Sequence, residues 1–510
     1  MMTIPSKKSS SKENTNNLRV DRQDSPKIRS VKFNVLMNML LTSSQFVFPL
    51  ITVPYVSRIL STYGTGAVAF AQSVVSYFSL LALLGISTYG VRVCAVVRDN
   101  REKLSCTVQE LFMILLLSSS VVYILYLISV FSIPQMSNDK GLFLISSASI
   151  WLGSMGVEWF YQAIEQYGYI TMRNIAFKLI SLVLMFIFVK SQGDYRVYAL
   201  ITVFANGGSN VLNLLRLRKF VDFSFKRKLC IRRHFKPMRS FMVMTIANGM
   251  FSQADLVILG FLGTPSMVGL YQLVAKTKNL AYSVVNSVSN VMLPRLSYYK
   301  GDPNKKRYST LLFKNFNFLT LSSLAGIGIC VLAAKPIVLI LGGENFLGSV
   351  VPLKIAAISL IFSAYNTLLA QDLIASGKET YFSIVCCMNL VIAIAYNVFL
   401  IPIFGVTGAA MSMTLCELTQ TGILFLVSRK VLAELLKRSQ LGRIAFSAAI
   451  SYVIGAVSEH FVAGSGAIIQ FLVPTLSLGV SYGLLLLLTG EYFVSGIFAS
   501  VIRRVMGERG

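Results

Sequence analysis

Charged residues are scarce in this sequence of 510 residues, at 13%, where a soluble domain has roughly 25%. Hydrophobic residues make up 55%, and the mean hydropathy is +0.66. A soluble enzyme, a disordered chain and a coiled coil all need a more polar composition than this. The composition excludes these classes and predicts an integral membrane protein.

Histidine and paired cysteine are also nearly missing. The chain has two histidines and seven cysteines, and no two cysteines have the C-x-x-C spacing, which argues against a zinc site or a disulfide framework. The Gly-Lys pair at 377–378 lacks the upstream glycine and the following Ser or Thr of a phosphate-binding loop. We therefore predict that the protein is not an enzyme and holds no metal or cofactor.

What the sequence does contain is a series of apolar runs long enough to cross a bilayer, which takes about 20 residues each. Fourteen transmembrane helices are predicted, numbered here as spans 1 to 14. They cover residues 34–60, 67–90, 108–133, 142–163, 170–189, 197–215, 240–262, 267–294, 311–341, 347–374, 380–403, 406–428, 444–459 and 468–489. The fold class is therefore an all-α integral membrane protein.

The longest charged connection follows span 6 and divides the chain into six spans, six spans and a final pair. An even division of this kind is typical of transporters built from two similar bundles around a central path. The predicted units are a basic tail (1–33), an N-terminal six-helix lobe (34–215), a basic linker (216–239), a C-terminal six-helix lobe (240–428), two extra helices (444–489) and a tail (490–510).

Positive charge outweighs negative charge, with 47 Lys and Arg against 21 Asp and Glu. If the N-terminus is cytoplasmic, cytoplasmic segments hold 37 of the basic residues and external connections only three. This asymmetry predicts that both termini are cytoplasmic. It explains the net charge of +26 through topology and anionic lipid headgroups, without nucleic acid as a partner. The external connections are also too short for the catalytic loops of a membrane polymerase.

Four of the cations within predicted spans are candidates for a functional role, because a charge is costly at membrane depth. They are Arg58, Lys178, Lys276 and Lys278. Arg58, near the outer end of span 1, could equally extend to the interface. Lys276 and Lys278 are two positions apart, about 200° around a helix, so they cannot face the same way. Arg173, near the connection after span 4, is interpreted as an interface anchor.

Three acidic residues are candidates for coupling or gating: Asp255, Glu417 and Glu158. Spans 7 and 8 are antiparallel neighbours, so Asp255 and Lys276 could form a pair, either structural or on a transport path. Glu417 lies near mid-membrane and is either a proton carrier or one partner of a polar contact between helices. The candidate coupling ion is H⁺ or Na⁺.

Several segments of this sequence resemble Wzx-type polysaccharide flippases. They include FPLITVPYVSRIL (48–60), GVEWFYQAIEQY (156–167) and VGLYQLVAKTKNL (268–280), with further matches along nearly the whole chain from about residue 33. One departure is Ser61-Thr62, which stands where the family often has a turn containing glycine.

The resemblance implies the multidrug/oligosaccharidyl-lipid/polysaccharide exporter superfamily, with two six-helix lobes in a V around a central cavity. It also implies transport of undecaprenyl-diphosphate-linked repeat units across a bacterial inner membrane. The cavity would be lined by cations, here Arg58, Lys178, Lys276 and Lys278. Polysaccharide polymerase and chain-length machinery would be candidate partners. Two alternatives stay open: a multidrug/cation antiporter of the same fold, which needs an acidic cavity, and a membrane polymerase.

Overall fold

A computed structural model describes residues 30–223, 230–300, 305–492 and 494–496. Regular structure within these ranges is helical throughout, as the apolar runs predict. The first half contains α1 (Val31–Leu83), α2 (Ile86–Val97), α3 (Arg101–Ser132), α4 (Pro134–Ser137), α5 (Lys140–Met155), α6 (Glu158–Ala163), α7 (Tyr167–Phe188), α8 (Tyr195–Val203) and α9 (Asn210–Leu217).

The second half begins after the basic linker. It contains α10 (Arg232–Leu262), α11 (Pro265–Val285), α12 (Ser287–Lys300), α13 (Lys305–Leu332), α14 (Ala334–Leu341), α15 (Val350–Ala375), α16 (Glu379–Phe404) and α17 (Val406–Val427). A short amphipathic helix, α18 (Arg429–Arg438), then leads to the final pair, α19 (Leu441–Phe461) and α20 (Ala467–Leu488).

Eleven helical stretches in the described ranges are long and apolar enough to cross a membrane. The first of these, Phe33–Val97, contains both span 1 and span 2. Span 6 is broken into α8, a π-helical turn over Phe204–Gly208 and α9, and span 8 corresponds to α11 and the start of α12. All fourteen predicted spans are therefore helical, and the all-α membrane fold is confirmed.

A sharp break at Ser61 divides α1 into two segments, which correspond to spans 1 and 2. Ser61 has φ 58° and ψ −171°, values outside the helical region and normally adopted by glycine. The hydroxyl of Thr65 donates a hydrogen bond to the Ser61 carbonyl oxygen at 2.7 Å, which supports the turn. The departure from a glycine-containing turn thus places a serine in a strained conformation.

Two glycines bring the two halves into direct backbone contact next to this break. A Cβ added to Gly66 in α1 would collide with the carbonyl oxygen of Pro265 in α11, and one added to Gly269 would collide with the carbonyl oxygen of Thr62. The contacts are reciprocal, as at a pseudo-two-fold axis. The end of the molecule where these two backbones touch is called here the sealed end. The opposite end, where α1 begins and the basic linker lies, is called the basic end.

The second segment of α1 packs against α10 over most of its length. The hydroxyl of Tyr77 donates to the carbonyl oxygen of Met250 at 2.8 Å, and Gly249 lies directly against the side chain of Leu80. Nearer the basic end, a Cβ on Gly85 would lie 2.8 Å from the Met242 amide nitrogen. We call this continuous contact the α1–α10 seam.

A charged cluster ties two connections together at the sealed end. Asp139, before α5, forms an ion pair with Arg196 at 2.8 Å and accepts a hydrogen bond from the hydroxyl of Tyr195 at 2.7 Å. Backbone N–H groups of Lys190 and Ser191 donate to Asp194 and hold the pKa of its carboxyl below the usual range. These contacts fix the start of α8, which forms part of the cavity wall described below.

Candidate functional site

A central cavity of about 510 Å³ lies between the first segment of α1, α7, α8 and α11. Its wall comes mainly from the first half of the chain, and only α11 contributes from the second half. The lining residues are Leu41, Gln45, Phe48, Pro49, Thr52, Gln72, Glu158, Asn174, Lys178, Ser181, Leu182, Met185, Tyr198, Ile201, Thr202, Ala205, Asn206, Gln272 and Lys276.

Two of the four predicted cations, Lys178 and Lys276, line this cavity together. The Lys178 ammonium donates to the hydroxyl of Ser44 at 3.2 Å and lies 5.6 Å from the centre of the Phe48 ring. Lys276 has no ion pair or hydrogen bond from its ammonium to any described residue. Neither lysine has a carboxylate partner in the described ranges, so both positive charges are available to a ligand.

The acidic candidate Glu158 also lines the cavity, but it is already paired. Its carboxylate lies 3.2 Å from the guanidinium of Arg173 and accepts a hydrogen bond from Gln162 at 3.3 Å. Arg173 also donates to the carbonyl oxygen of Ser209 and to Asn174, each at 3.2 Å. The side chain of Arg173 is only 2% exposed. The interpretation of Arg173 as an interface anchor is therefore wrong, because it forms a buried polar layer.

The remaining polar lining of the cavity is rich in side-chain amides. Each amide offers two N–H donors and one carbonyl acceptor, which suits the hydroxyl groups of a sugar. The five amide residues are Gln45, Gln72, Asn174, Asn206 and Gln272. These residues were not predicted from the sequence, although glutamine and asparagine within apolar runs are a signal that could have identified them.

A smaller cavity of about 150 Å³ separates the first segment of α1 from α11. We call it the side cavity. It shares Gln45, Pro49 and Lys276 with the central cavity, and two of its lining residues, Gln45 and Asn279, are exposed. The contact between α1 and α11, called here the α1–α11 seam, thus contains a cavity, whereas Tyr77 and Gly249 pack directly across the α1–α10 seam.

Lys278 does not line either cavity, contrary to its prediction as a cavity cation. Its ammonium lies 3.5 Å from the carboxylate of Glu417 and donates to the hydroxyl of Ser363 at 3.2 Å. Glu417 also accepts a hydrogen bond from Asn366 at 2.7 Å. The side chains of Lys278 and Glu417 are 7% and 11% exposed. The 200° separation from Lys276 explains this position, because Lys278 faces into the second half.

Asp255 does not pair with Lys276, so that pairing was wrong. Its carboxylate accepts a hydrogen bond from the hydroxyl of Tyr271 at 2.6 Å and another from the amide of Asn397 at 2.7 Å. Within the described part of the chain, Asp255 forms no ion pair, and the carbonyl oxygen of the Asn397 side chain has no hydrogen-bond partner. Asp255 thus occupies a polar site within the second half, away from the cavity lining.

Arg58 was also predicted to line the cavity, and it does not. Its side chain is exposed at the sealed end, where the guanidinium donates to the carbonyl oxygen of Ile340 in α14 at 3.2 Å. The alternative interpretation, an arginine extended toward the interface, fits this position. Sequence depth alone could not distinguish Arg58 from Lys178, because both lie within apolar runs.

The model of the family described as "Polysaccharide biosynthesis protein" matches residues 31–300, more than half of the chain. The chain belongs to this family. Relatives that resemble the chain include the "Putative O-antigen transporter" of Escherichia coli (strain K12). That relative is 23% identical over 416 residues, which cover 79% of this chain and 98% of the relative. The resemblance to Wzx-type flippases is thereby confirmed.

Solved structures with the same fold include "Lipid II flippase MurJ, inward closed conformation", at a TM-score of 0.69 and 15% identity. The match covers 89% of this chain and 99% of that chain. An inward-facing multidrug resistance MATE family transporter of the MOP superfamily matches at a TM-score of 0.57 and 13% identity, covering 78% of this chain and 96% of that chain. The protein is a multi-pass membrane protein of polysaccharide biosynthesis whose relatives are transporters, not enzymes.

Proposed function

We propose that this protein is a flippase that moves undecaprenyl-diphosphate-linked oligosaccharide repeat units from the cytoplasmic to the outer leaflet of a bacterial inner membrane. The observation that carries the proposal is the pair Lys178 and Lys276, which line one cavity without a carboxylate partner among the described residues. A diphosphate brings about two negative charges, and two lysines match it as point charges.

The amide lining supports a sugar as the other part of the ligand. Each hydroxyl group costs about 4–8 kcal/mol to place in hydrocarbon without a hydrogen bond, so a glycan does not cross a bilayer unaided. Gln45, Gln72 and Gln272 line the same cavity as the two lysines and offer both donors and acceptors to such hydroxyl groups.

The side cavity offers a place for the polyprenyl tail. It opens between the first segment of α1 and α11, and its lining includes the apolar residues Phe46, Val53 and Leu280. Because it joins the central cavity at Lys276, a headgroup could be held inside while its lipid tail stays in the bilayer. The closed α1–α10 seam offers no such opening.

In this proposal both termini are cytoplasmic, and the membrane potential favours transport toward the outer leaflet. Because the inside of the membrane is negative, moving two negative charges outward is favourable by about 4.6 kcal/mol per 100 mV. Return of the empty protein would then use H⁺ or Na⁺ at Asp255, where the carboxylate and the unpartnered Asn397 oxygen offer ligands. The exported units would pass to polysaccharide polymerase and chain-length machinery.

The cavity disfavours a cation antiporter, the competing function on this fold. Such a transporter needs an available carboxylate on the cavity wall, and the acid there, Glu158, is neutralised by Arg173 at 3.2 Å. The cavity charge available to a ligand is positive.

The test is Lys276→Gln in cells that lack the chromosomal gene. We expect export of surface polysaccharide to fall by about tenfold or more, the value of one charge-assisted contact, and lipid-linked repeat units to accumulate facing the cytoplasm. The matched control is Lys354→Gln, which removes an exposed cation of α15. Normal export in the Lys276 variant at normal protein levels would overturn the proposal.

The coupling role of Asp255 needs a separate test in proteoliposomes. Asp255→Asn keeps the size of the side chain and removes its charge, so we expect transport to lose its dependence on an imposed H⁺ or Na⁺ gradient. Glu158→Gln is the comparison, since Glu158 lies on the cavity wall beside Arg173. Unchanged gradient dependence in the Asp255 variant would remove Asp255 from the mechanism and leave the cavity proposal intact.

A further inference from the structure

A third cavity, of about 470 Å³, lies at the basic end of the first half and is separate from the transport cavity. Its lining residues come from the beginning of α1, the beginning of α7 and the end of α9. We call it the basic-end cavity. Its lining includes the cation Arg216, the aromatic residue Tyr169 and a single acid, Glu165.

Arg216 supplies the charge that a ligand in this cavity would meet. Its guanidinium carbon lies 3.9 Å from the centre of the Tyr169 ring, and the Phe220 ring is 5.7 Å away. Stacking of this kind holds the guanidinium by its face and leaves the N–H donors at its edge available. No carboxylate in the described ranges forms an ion pair with Arg216.

The acid of the cavity is already neutralised. The carboxylate of Glu165 lies 2.6 Å from the guanidinium of Arg98. The side chain of Asn34 donates a further hydrogen bond to Glu165 at 3.4 Å. Arg216 is therefore the unbalanced charge in the cavity, and its sign selects an anion.

The rest of the lining is mostly apolar and indicates that the anion is carried by a lipid. Phe33, Met37 and Met172 line the cavity, and Met172 is 71% exposed on the surface of the bundle. An exposed methionine beside a stacked arginine at the end of a transmembrane bundle suits acyl chains below a phosphate.

The buried Arg173 layer separates this cavity from the central one. Arg173 contacts Glu158 on the wall of the central cavity, and its guanidinium carbon lies 5.8 Å from the ring of Tyr169 on the wall of the basic-end cavity. A ligand in the basic-end cavity therefore cannot reach Lys178 without moving this layer. One cation also matches one phosphodiester charge, whereas a diphosphate needs two.

We propose that the basic-end cavity binds the headgroup of an anionic phospholipid, with its phosphate on Arg216 and its acyl chains against Met172. This site lies beyond the proposed transport of lipid-linked glycans and does not depend on it. Bound lipid would tie the beginnings of α1 and α7 to the end of α9.

The test uses the purified full-length protein in neutral detergent, titrated with phosphatidylglycerol and measured by native mass spectrometry. We expect one tightly retained phosphatidylglycerol, and about tenfold weaker retention in Arg216→Gln. The matched control is Arg218→Gln, an exposed arginine two residues away that does not line the cavity. Equal retention in the wild type and the Arg216 variant overturns the proposal.

Two further arms identify the source of the phosphate. Glu165→Gln leaves Arg98 without its partner and raises the local positive charge, so phosphatidylglycerol should bind as well as before or more tightly. Weaker binding would show that positive charge in this cavity does not hold the lipid and would overturn the proposal. Undecaprenyl diphosphate is the competitor. If undecaprenyl diphosphate displaces bound phosphatidylglycerol at a lower concentration than added phosphatidylglycerol does, the cavity belongs to the transported lipid. That outcome would also overturn the proposal.

Discussion

Lys178 in the first half and Lys278 in the second half show two opposite uses of a lysine at membrane depth. In the first half, Lys178 faces the central cavity with only a neutral hydroxyl as its hydrogen-bond partner. In the second half, Lys278 is buried against Glu417 at 3.5 Å, and Lys276 alone among the candidate charges reaches the cavity. A membrane-embedded lysine therefore indicates a ligand only when it has no acid within reach.

The α1–α10 seam and the α1–α11 seam also differ from each other, in how closely their helices pack. The second segment of α1 is packed against α10 by Tyr77 and Gly249, whereas the first segment is separated from α11 by the side cavity. Both seams meet at the sealed end, where Gly66 and Gly269 touch the opposite backbone. One seam is therefore directly packed, and the other contains a cavity.

The largest expected effect comes from removing both cavity charges. Lys178→Gln combined with Lys276→Gln should reduce glycan export by about two to four orders of magnitude, since each charge-assisted contact with phosphate is worth about 1.5–3 kcal/mol. Export per molecule of membrane protein is the measurement. The control is the double variant Lys354→Gln with Lys335→Gln, which removes two exposed cations of the second half. An equal loss of export in this control would show that the cavity lysines have no special role.

The second prediction concerns the buried pair. Lys278→Met should destabilise the protein by about 3–5 kcal/mol, because it leaves Glu417 charged and unpaired in the interior. Adding Glu417→Leu should recover most of the loss, as measured by thermal unfolding in detergent. If the double variant is stable but cannot export glycan, then Glu417 acts in transport. The Lys278–Glu417 pair would then have a role beyond stabilising the second half.

The third prediction tests the reciprocal contact at the sealed end. Gly66→Ala and Gly269→Ala should each cost about 1–3 kcal/mol through overpacking, and the double variant should cost less than their sum, since both open one contact. Gly153→Ala is the control, because a Cβ there meets no atom within 4 Å. Full additivity in thermal unfolding would show that the two glycines do not share a contact.

The smallest expected effect is a gain in stability. Ser61→Gly should stabilise the break between the two segments of α1 by about 1 kcal/mol, because glycine adopts a φ of 58° without the strain that serine has there. Ser76→Gly, inside the second segment, should instead lose about 0.5–1 kcal/mol. A destabilised Ser61 variant would mean that the serine makes a contact that outweighs its strain.

The helices could be predicted from sequence because bilayer thickness sets their length. Runs of apolar residues identify the spans even where, as around Ser61, the chain turns within one continuous stretch. The broken span 6 was not predicted, because a π-helical turn at Phe204–Gly208 depends on packing that hydropathy does not encode.

The site was only partly predictable, because the depth of a charged residue in the membrane does not determine which way its side chain faces. Helical geometry correctly separated Lys276 from Lys278, but the direction each one faces required the positions of Glu417 and of the cavity. Arg58 and Lys178 looked alike in sequence and differ in the structure. Arg173 was misread because its ion-pair partner, Glu158, lies on another helix.

The reciprocal contact between Gly66 and Gly269 has a consequence for how this sequence can diverge. Enlarging either residue pushes the same two backbones apart, so neither position can change freely while the other stays fixed. Relatives should keep both residues small or alter both together, and that paired pattern of substitution would mark this contact in an alignment of the family.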